Sequence, residues 1–158
     1  ICHGGGLGVQ LYLHAHLLHQ SHVLVDSLVA DAEGGDHLPD DAAQLKTQLL
    51  RLADARQVNL ILTTGGTGFA PRDITPEVTL SVAERNAPGI AEAMRYHSLT
   101  ITPRGMLSRA ASVLRGKTLI VNLPGSPKAV KENLEYILPS LAHGIRLAAG
   151  LDGECARK

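Results

Sequence analysis

Residues 58–79 contain the pattern that most clearly suggests chemistry. An apolar run, Leu60 to Leu62, reads as a short strand buried on both faces, and glycines follow it at positions 65, 66 and 68. Because glycine has no Cβ, such a loop can turn sharply and bring its backbone N–H groups close to an oxyanion. The pattern therefore predicts a phosphate-binding loop.

The residues after this loop strengthen the prediction. Arg72 and Asp73 supply one charge of each sign, and Thr75-Pro76 predicts a helix start with Thr75 as N-cap. A strand, a glycine loop and a helix N-terminus in this order suit a phosphorylated ligand. The spacing matches neither a P-loop nor a dinucleotide-binding motif, and a purely steric glycine turn remains the alternative.

A second strand and turn repeat this arrangement. Residues 117–122 predict another buried strand, and Pro124-Gly125-Ser126 follow it as a tight turn, with Ser126 as N-cap of the next helix. Strands separated by long helices predict an α/β fold with a mostly parallel sheet flanked by helices. Ligands of such sheets bind outside the carboxyl ends of the strands, so both turns should open onto one crevice.

The intervening segments predict helices. A helix over 40–57 has leucines at positions 45, 49 and 52 on one face. Others are expected over 75–86 and from Pro88 to about Leu99, with a short helical turn after Thr102. The last helix follows Ser126 and should bend or break at Pro139.

Length and composition limit the class of protein. A chain of 158 residues with 44% hydrophobic content suits one domain over 1–150 with a loose tail over 151–158. Fifteen basic and fifteen acidic residues disfavour a broad nucleic-acid surface. Two cysteines without metal-ligand spacing favour a reducing compartment, and no apolar run approaches the roughly 20 residues of a membrane span. A cytoplasmic protein is expected.

Several strings together resemble one family, the molybdopterin adenylyltransferases of the MogA, MoaB and gephyrin G-domain type. The resemblance covers residues 38–150. The strings are Thr-Thr-Gly-Gly-Thr-Gly at 63–68, Pro-Arg-Asp-Ile-Thr-Pro-Glu at 71–77, Met-Leu-Ser-Arg at 106–109, and longer matches at 115–130 and 137–145.

This resemblance implies a three-layer α/β fold, a homotrimer and a reaction. Enzymes of the family transfer the adenylyl group of Mg-ATP to the terminal phosphate of molybdopterin and release pyrophosphate. ATP and molybdopterin are then the substrates, Mg²⁺ the cofactor, and a molybdenum-insertion protein the recipient of the product. A binding or scaffold protein that kept the pterin pocket without catalysis is the alternative.

The resemblance also implies roles for particular residues. Asp73 and Asp40 would be the catalytic acids and would hold Mg²⁺. The nucleotide and pterin phosphates would bind to Thr64, Gly65, Gly66, Thr67 and Gly68, and the pterin would lie against Ser108, Pro124, Gly125 and Ser126. Simpler explanations remain for the acids, since Asp40 could cap a helix and Asp73 could pair with Arg72.

Residues 1–37 depart from the family pattern. Members begin with a strand ending in Ser-Asp and a Ser-Gly phosphate loop, whereas this stretch carries six of the eight histidines and no lysine or arginine. Three interpretations are open. The stretch could hold a histidine metal site, it could form a strand near 9–13 and another element near 23–29 with exposed histidines, or it could be a sequence that is not native, for instance a shifted reading frame.

Overall fold

A computed structural model describes residues 9–12, 37–38 and 41–150. The strands within these ranges are β1 (Val9–Tyr12), β2 (His37–Leu38), β3 (Leu60–Thr64), β4 (Arg85–Asn86), β5 (Ser112–Arg115) and β6 (Thr118–Leu123). The α-helices are α1 (Ala42–Leu50), α2 (Thr75–Ser81), α3 (Pro88–Ile101) and α4 (Pro127–Ala148). A π-helical turn, Arg51–Ala55, extends α1, and a 3₁₀ turn, Pro103–Leu107, follows α3.

The strands form one mixed sheet in the order β2-β1-β3-β6-β5-β4. Its centre is the parallel pair β3 and β6, the two strands that the sequence predicted around the glycine turns. The other four pairs among the described strands are antiparallel, so the prediction of a mostly parallel sheet is wrong in this respect and the sheet is mixed. The β5–β6 pair must be antiparallel, because only Gly116 and Lys117 connect them, with Gly116 at φ +52° as a two-residue hairpin loop requires.

Every residue of β3 and β6 is buried, as their apolar runs predicted. Because side chains alternate along a strand, Ile61 and Ile120 point to one face, towards α1 and α2. Leu62 and Val121 point to the other face, where α3 and α4 pack. Helices therefore cover both faces, and the predicted α/β class with its helix, sheet and helix layers is confirmed.

Helix boundaries differ from the predictions in three places. Helix α2 stops at Ser81 instead of near residue 86, because Arg85–Asn86 pair with β5 as an edge strand. Thr75 is the first residue of α2, and Ile74 takes the N-cap position without a side-chain bond. Helix α4 runs through Pro139, where buried Ile137 and Leu141 hold its two halves against the same core.

Side chains cap two of the other helices. As predicted, the side chain of Ser126 caps α4 by accepting a hydrogen bond from the Ala129 N–H at 3.5 Å. Asp41 caps α1 through the N–H groups of Ala43 and Gln44, at 2.8 and 3.1 Å. Such caps stabilise a helix by about 1 kcal/mol each.

Several predictions can be compared only partly with this structure. Strand β1 confirms the strand expected near residues 9–13. The expected element over 23–29, Asp40, both cysteines and the tail over 151–158 lie outside the described residues. Across the described ranges, no helix is both long and apolar enough to cross a membrane.

Candidate functional site

The glycine loop begins where β3 ends at Thr64. Gly65 and Gly66 have φ values of +88° and +63°, in the left-handed region that glycine tolerates best. The Gly65 N–H donates to the Leu123 carbonyl at 3.2 Å, and Gly66 O accepts from the Thr75 N–H at 3.2 Å. The loop is therefore tied to the end of β6 on one side and to the start of α2 on the other.

The second turn, after β6, lies directly against this loop. A Cβ added to Gly125 would come within 3.3 Å of the Gly65 Cα, so the two backbones are in close contact. Pro124 is half-buried, whereas Gly125 and Ser126 are exposed. The structure thus brings both predicted turns together at the carboxyl ends of the parallel strands.

Ser108 and Arg109 reach the same place from the 3₁₀ turn. Ser108 is half-buried, and its Oγ accepts from the Ala110 N–H at 3.4 Å. The Arg109 N–H donates to the Thr67 carbonyl at 2.9 Å, which fixes this segment beside the glycine loop. Of the residues predicted for the site, Asp40 alone lies outside the described residues.

Asp73 closes a tight turn just beyond the loop. Its N–H donates to the Ala70 carbonyl at 2.8 Å, and its Oδ2 accepts from the Ala70 N–H at 2.9 Å. Pro71 holds the second position of this turn, where proline is favoured. A Cβ on Gly68 would lie 2.8 Å from the same Oδ2, so only glycine lets the carboxylate sit this close to the loop. No ion pair joins Asp73 to Arg72, both of which are described, so the simpler pairing is not formed.

Arg109 binds the segment between the loop and α2 with its whole guanidinium group. Its Nε donates to the Gly68 carbonyl at 2.6 Å, one terminal nitrogen donates to the Asp73 carbonyl, and the other pairs with the Glu77 carboxylate. The hydrogen bonds to the two carbonyl oxygens hold the backbone before the 70–73 turn and at its end. Arg109 was not singled out from the sequence, because nothing local to residue 109 indicates a partner 41 residues away.

Asn122 supports the site from below. It is fully buried in β6, and its amide nitrogen donates to the Oγ1 atoms of Thr63 and Thr79 at 2.9 and 2.8 Å. Its Oδ1 accepts from the Ala111 N–H at 3.1 Å. One side chain thereby links β6, β3, α2 and the segment before β5. The sequence did contain a signal for this role, because Asn122 is a polar residue inside an otherwise apolar strand.

A cavity of about 530 Å³ opens beside the loop, with one basic and two acidic side chains in its wall. It is lined by Phe69, Ala70, Pro71, Asp73, Ile74, Glu77 and Arg109. A larger cavity, about 680 Å³, lies between α3 and α4. Leu119, at the start of β6, contributes to that larger cavity, so it lies at the opposite end of the strand from the glycine turns. The lining of the larger cavity has no acidic or basic side chain, so the smaller cavity is the candidate site.

The clearest electrostatic perturbation also lies away from the turns. Arg115, at the end of β5, forms a two-pronged ion pair with Asp54, with N–O distances of 2.7 and 2.6 Å. The hydrogen bonds from Arg115 hold the pKa of the Asp54 carboxyl below its ordinary value. This pair fastens the π-helical turn to the sheet and does not contribute to the candidate site.

The family model described as "Probable molybdopterin binding domain" matches residues 21–143. This chain belongs to that family. The match confirms the family resemblance and begins earlier than residue 38, so part of the histidine-rich segment lies within the family's span.

Relatives within the molybdopterin-binding family agree. The chain is 46% identical over 112 residues to the molybdopterin adenylyltransferase of Escherichia coli K12, covering 68% of this chain and 57% of that protein. It is 50% identical over 100 residues to that of Haemophilus influenzae, covering 63% and 51% respectively. The chain thus spans about half the length of the curated relatives it matches.

A solved structure of the same family has the same fold. The molybdopterin biosynthesis enzyme MoaB from Thermus thermophilus superposes with a TM-score of 0.68 at 50% identity, covering 72% of this chain and 71% of that one. The agreement therefore extends from the sequence to the three-dimensional fold.

Proposed function

We propose that this chain acts in molybdenum cofactor biosynthesis as a molybdopterin adenylyltransferase. In this reaction a terminal phosphate oxygen of molybdopterin bonds to the α-phosphorus of ATP. The bond between the α-phosphorus and the bridging oxygen breaks, and pyrophosphate leaves with the electron pair. The observation that carries the proposal is the contact between the two glycine turns at the ends of β3 and β6, beside a fixed carboxylate.

The glycine loop would bind the phosphates. The loop over 64–68 has positive φ angles at Gly65 and Gly66 and no Cβ at its three glycines, which lets backbone N–H groups come close to an anion. The Gly65 N–H already donates to the Leu123 carbonyl, so the N–H groups of residues 66–68 would serve the phosphates. Ser108 and the turn over 124–126 would contact the pterin side, since both are held against this loop. Arg109 would hold Asp73 in a fixed position relative to the glycine loop, through its hydrogen bonds to the Gly68 and Asp73 carbonyls.

Asp73 is a suitable carboxylate for Mg²⁺. Oδ2 faces the Ala70 N–H, whereas no hydrogen bond involves Oδ1 within the described residues. No group of three or more acidic, histidine or cysteine side chains converges anywhere in the described ranges, so an all-protein cage is not formed there. Mg²⁺ is commonly held by one or two carboxylates together with substrate phosphates, which fits Asp73, with Asp40 as the proposed second acid. When bound, the metal would neutralise phosphate charge.

The test is pyrophosphate release from ATP in the presence of molybdopterin and Mg²⁺, on a chain whose residues 1–37 have been checked against the encoding DNA. We expect release that depends on both substrates. Pterin binding without pyrophosphate release would favour the alternative, a binding or scaffold protein, and absence of both would contradict the proposal.

Assembly and location complete the proposal. We expect this molybdopterin-binding domain to form a cytoplasmic homotrimer that hands its product to a molybdenum-insertion protein. Exposed apolar side chains at the end of α3 and in the 3₁₀ turn, Leu99, Ile101, Met106 and Leu107, offer a surface for association. Light scattering that gave a monomer mass at micromolar concentration would contradict the trimer.

A further inference from the structure

The side chain of Thr75 is in an unusual state at the base of the glycine loop. It is fully buried, and among the described residues its Oγ1 is the one buried side-chain polar atom without a hydrogen-bond partner. Buried hydroxyls are nearly always paired, because an unpaired one has lost its hydrogen bonds to water without replacement. Capping does not explain this hydroxyl, since Ile74 holds the N-cap position of α2.

The Thr75 hydroxyl lies against the most adaptable peptide of the loop. A Cβ added to Gly66 would be 2.3 Å from Thr75 Oγ1, which places the hydroxyl directly beside the Gly66 Cα. The Thr75 N–H already donates to Gly66 O, so the backbone contact between the two residues is made without the side chain. Gly65 and Gly66 both adopt positive φ, and two consecutive glycines let the peptide between them rotate with little steric hindrance.

We propose that Thr75 is a positioning residue that pairs with the glycine loop only when an anion is bound. In that state the Gly65–Gly66 peptide turns its carbonyl inward to accept from the Thr75 hydroxyl. The same rotation turns the Gly66 N–H outward, towards a phosphate oxygen. The inference rests on the proposed function, because it requires this loop to bind phosphate.

If this is so, removal of the hydroxyl should affect the stability of the free protein and its affinity for an anion differently. In the free protein an unpaired buried hydroxyl gives no stability, so its removal should leave the melting temperature unchanged or raise it. In the bound protein the hydroxyl gains an acceptor, so its removal should weaken binding by about fivefold or more. If the hydroxyl had an ordinary structural role, its removal would lower both the melting temperature and the affinity for the anion.

The experiment compares Thr75→Val, which keeps the branched shape without the hydroxyl, with Thr75→Ser, which keeps the hydroxyl. Melting curves are recorded without ligand, and inorganic pyrophosphate is titrated by calorimetry. The Gly66 amide signal is followed by NMR in ¹⁵N-labelled protein. In the wild type we expect pyrophosphate to shift the Gly66 amide signal. We expect Thr75→Val to melt at or above the wild-type temperature, to bind pyrophosphate at least about fivefold more weakly, and to show no such shift. Thr75→Ser should bind as the wild type does.

Each other result is informative. Wild-type affinity in Thr75→Val would overturn the inference and leave the proposed function intact. A lower melting temperature or loss of folding in Thr75→Val, with Thr75→Ser normal, would show that the hydroxyl acts in the free protein and would also overturn it. A wild-type protein that binds no pyrophosphate would count against the proposed phosphate site itself and remove the inference with it.

Discussion

Replacing Arg109 by lysine tests whether the planar guanidinium group, and not positive charge alone, holds the glycine loop in place. Arg109 donates to the carbonyls of Gly68 and Asp73 and pairs with the Glu77 carboxylate. Lysine keeps the charge but carries one ammonium group, which cannot reach three separated acceptors in the fork geometry of arginine. At least one of the hydrogen bonds to the two carbonyl oxygens should therefore be lost.

The size of the effect follows from these contacts. Hydrogen bonds from a charged donor contribute about 1.5–3 kcal/mol each, and the Arg109 side chain is 32% exposed, which reduces that value. We expect Arg109→Lys to lower the free energy of unfolding by about 1–3 kcal/mol and the melting temperature by about 2–12 °C. Because the same bonds align the loop with Asp73, kcat/KM for adenylyl transfer should fall by about 10- to 100-fold.

Glu77→Gln is the matched control. It removes only the ion pair at an acid whose side chain is 57% exposed, and such pairs contribute about 0–1 kcal/mol. Its free energy of unfolding should fall by no more than about 1 kcal/mol, since the hydrogen bonds from Arg109 to both carbonyl oxygens persist. If Arg109→Lys melted and turned over like the wild type, or if Glu77→Gln were equally destabilised, the assignment of loop positioning to the guanidinium group would be wrong.

Three further changes test other parts of the site and fold. Asp73→Asn can still accept from the Ala70 N–H, so melting and pterin binding should persist while turnover falls about 100-fold or more, and retained turnover would remove Asp73 from the catalytic role. Phe69 and Tyr96 are both 68% exposed, but only Phe69 lines the site cavity, so Phe69→Ala should weaken binding of the heteroaromatic substrates about fivefold by calorimetry while Tyr96→Ala should not. The pKa of Asp54 is lowered by its hydrogen bonds from Arg115, so this pair stabilises the fold above the ordinary carboxyl pKa and the contribution is lost as pH falls through the lowered value. Asp54→Asn should therefore melt below the wild type at pH 7, with the difference in melting temperature shrinking as the pH falls below about 4, and a difference that stayed constant from pH 7 into this acid range would contradict the linkage.

The sequence by itself determined the local features of this protein. Strands β3 and β6 follow from their apolar runs, because a short continuous apolar run is typical of a strand buried on both faces. The Ser126 cap and the glycine turns also follow from residue type, since side-chain capping and positive φ are properties of individual residues. The reaction expected at those turns came from the resemblance of several sequence motifs to one family.

Only the tertiary structure decided which distant side chains support these turns. The Arg109 bond to Gly68 spans 41 residues and the Asn122 bond to Thr63 spans 59, so both depend on the order of strands in the sheet. The antiparallel edge formed by β4 likewise ended α2 earlier than its sequence predicted. The unpaired Thr75 hydroxyl is of the same kind, because a threonine before a proline looks like an ordinary cap until the packing of the loop against it is known. Helical period and turn propensity act over a few residues, whereas these contacts form between segments that packing alone brings together.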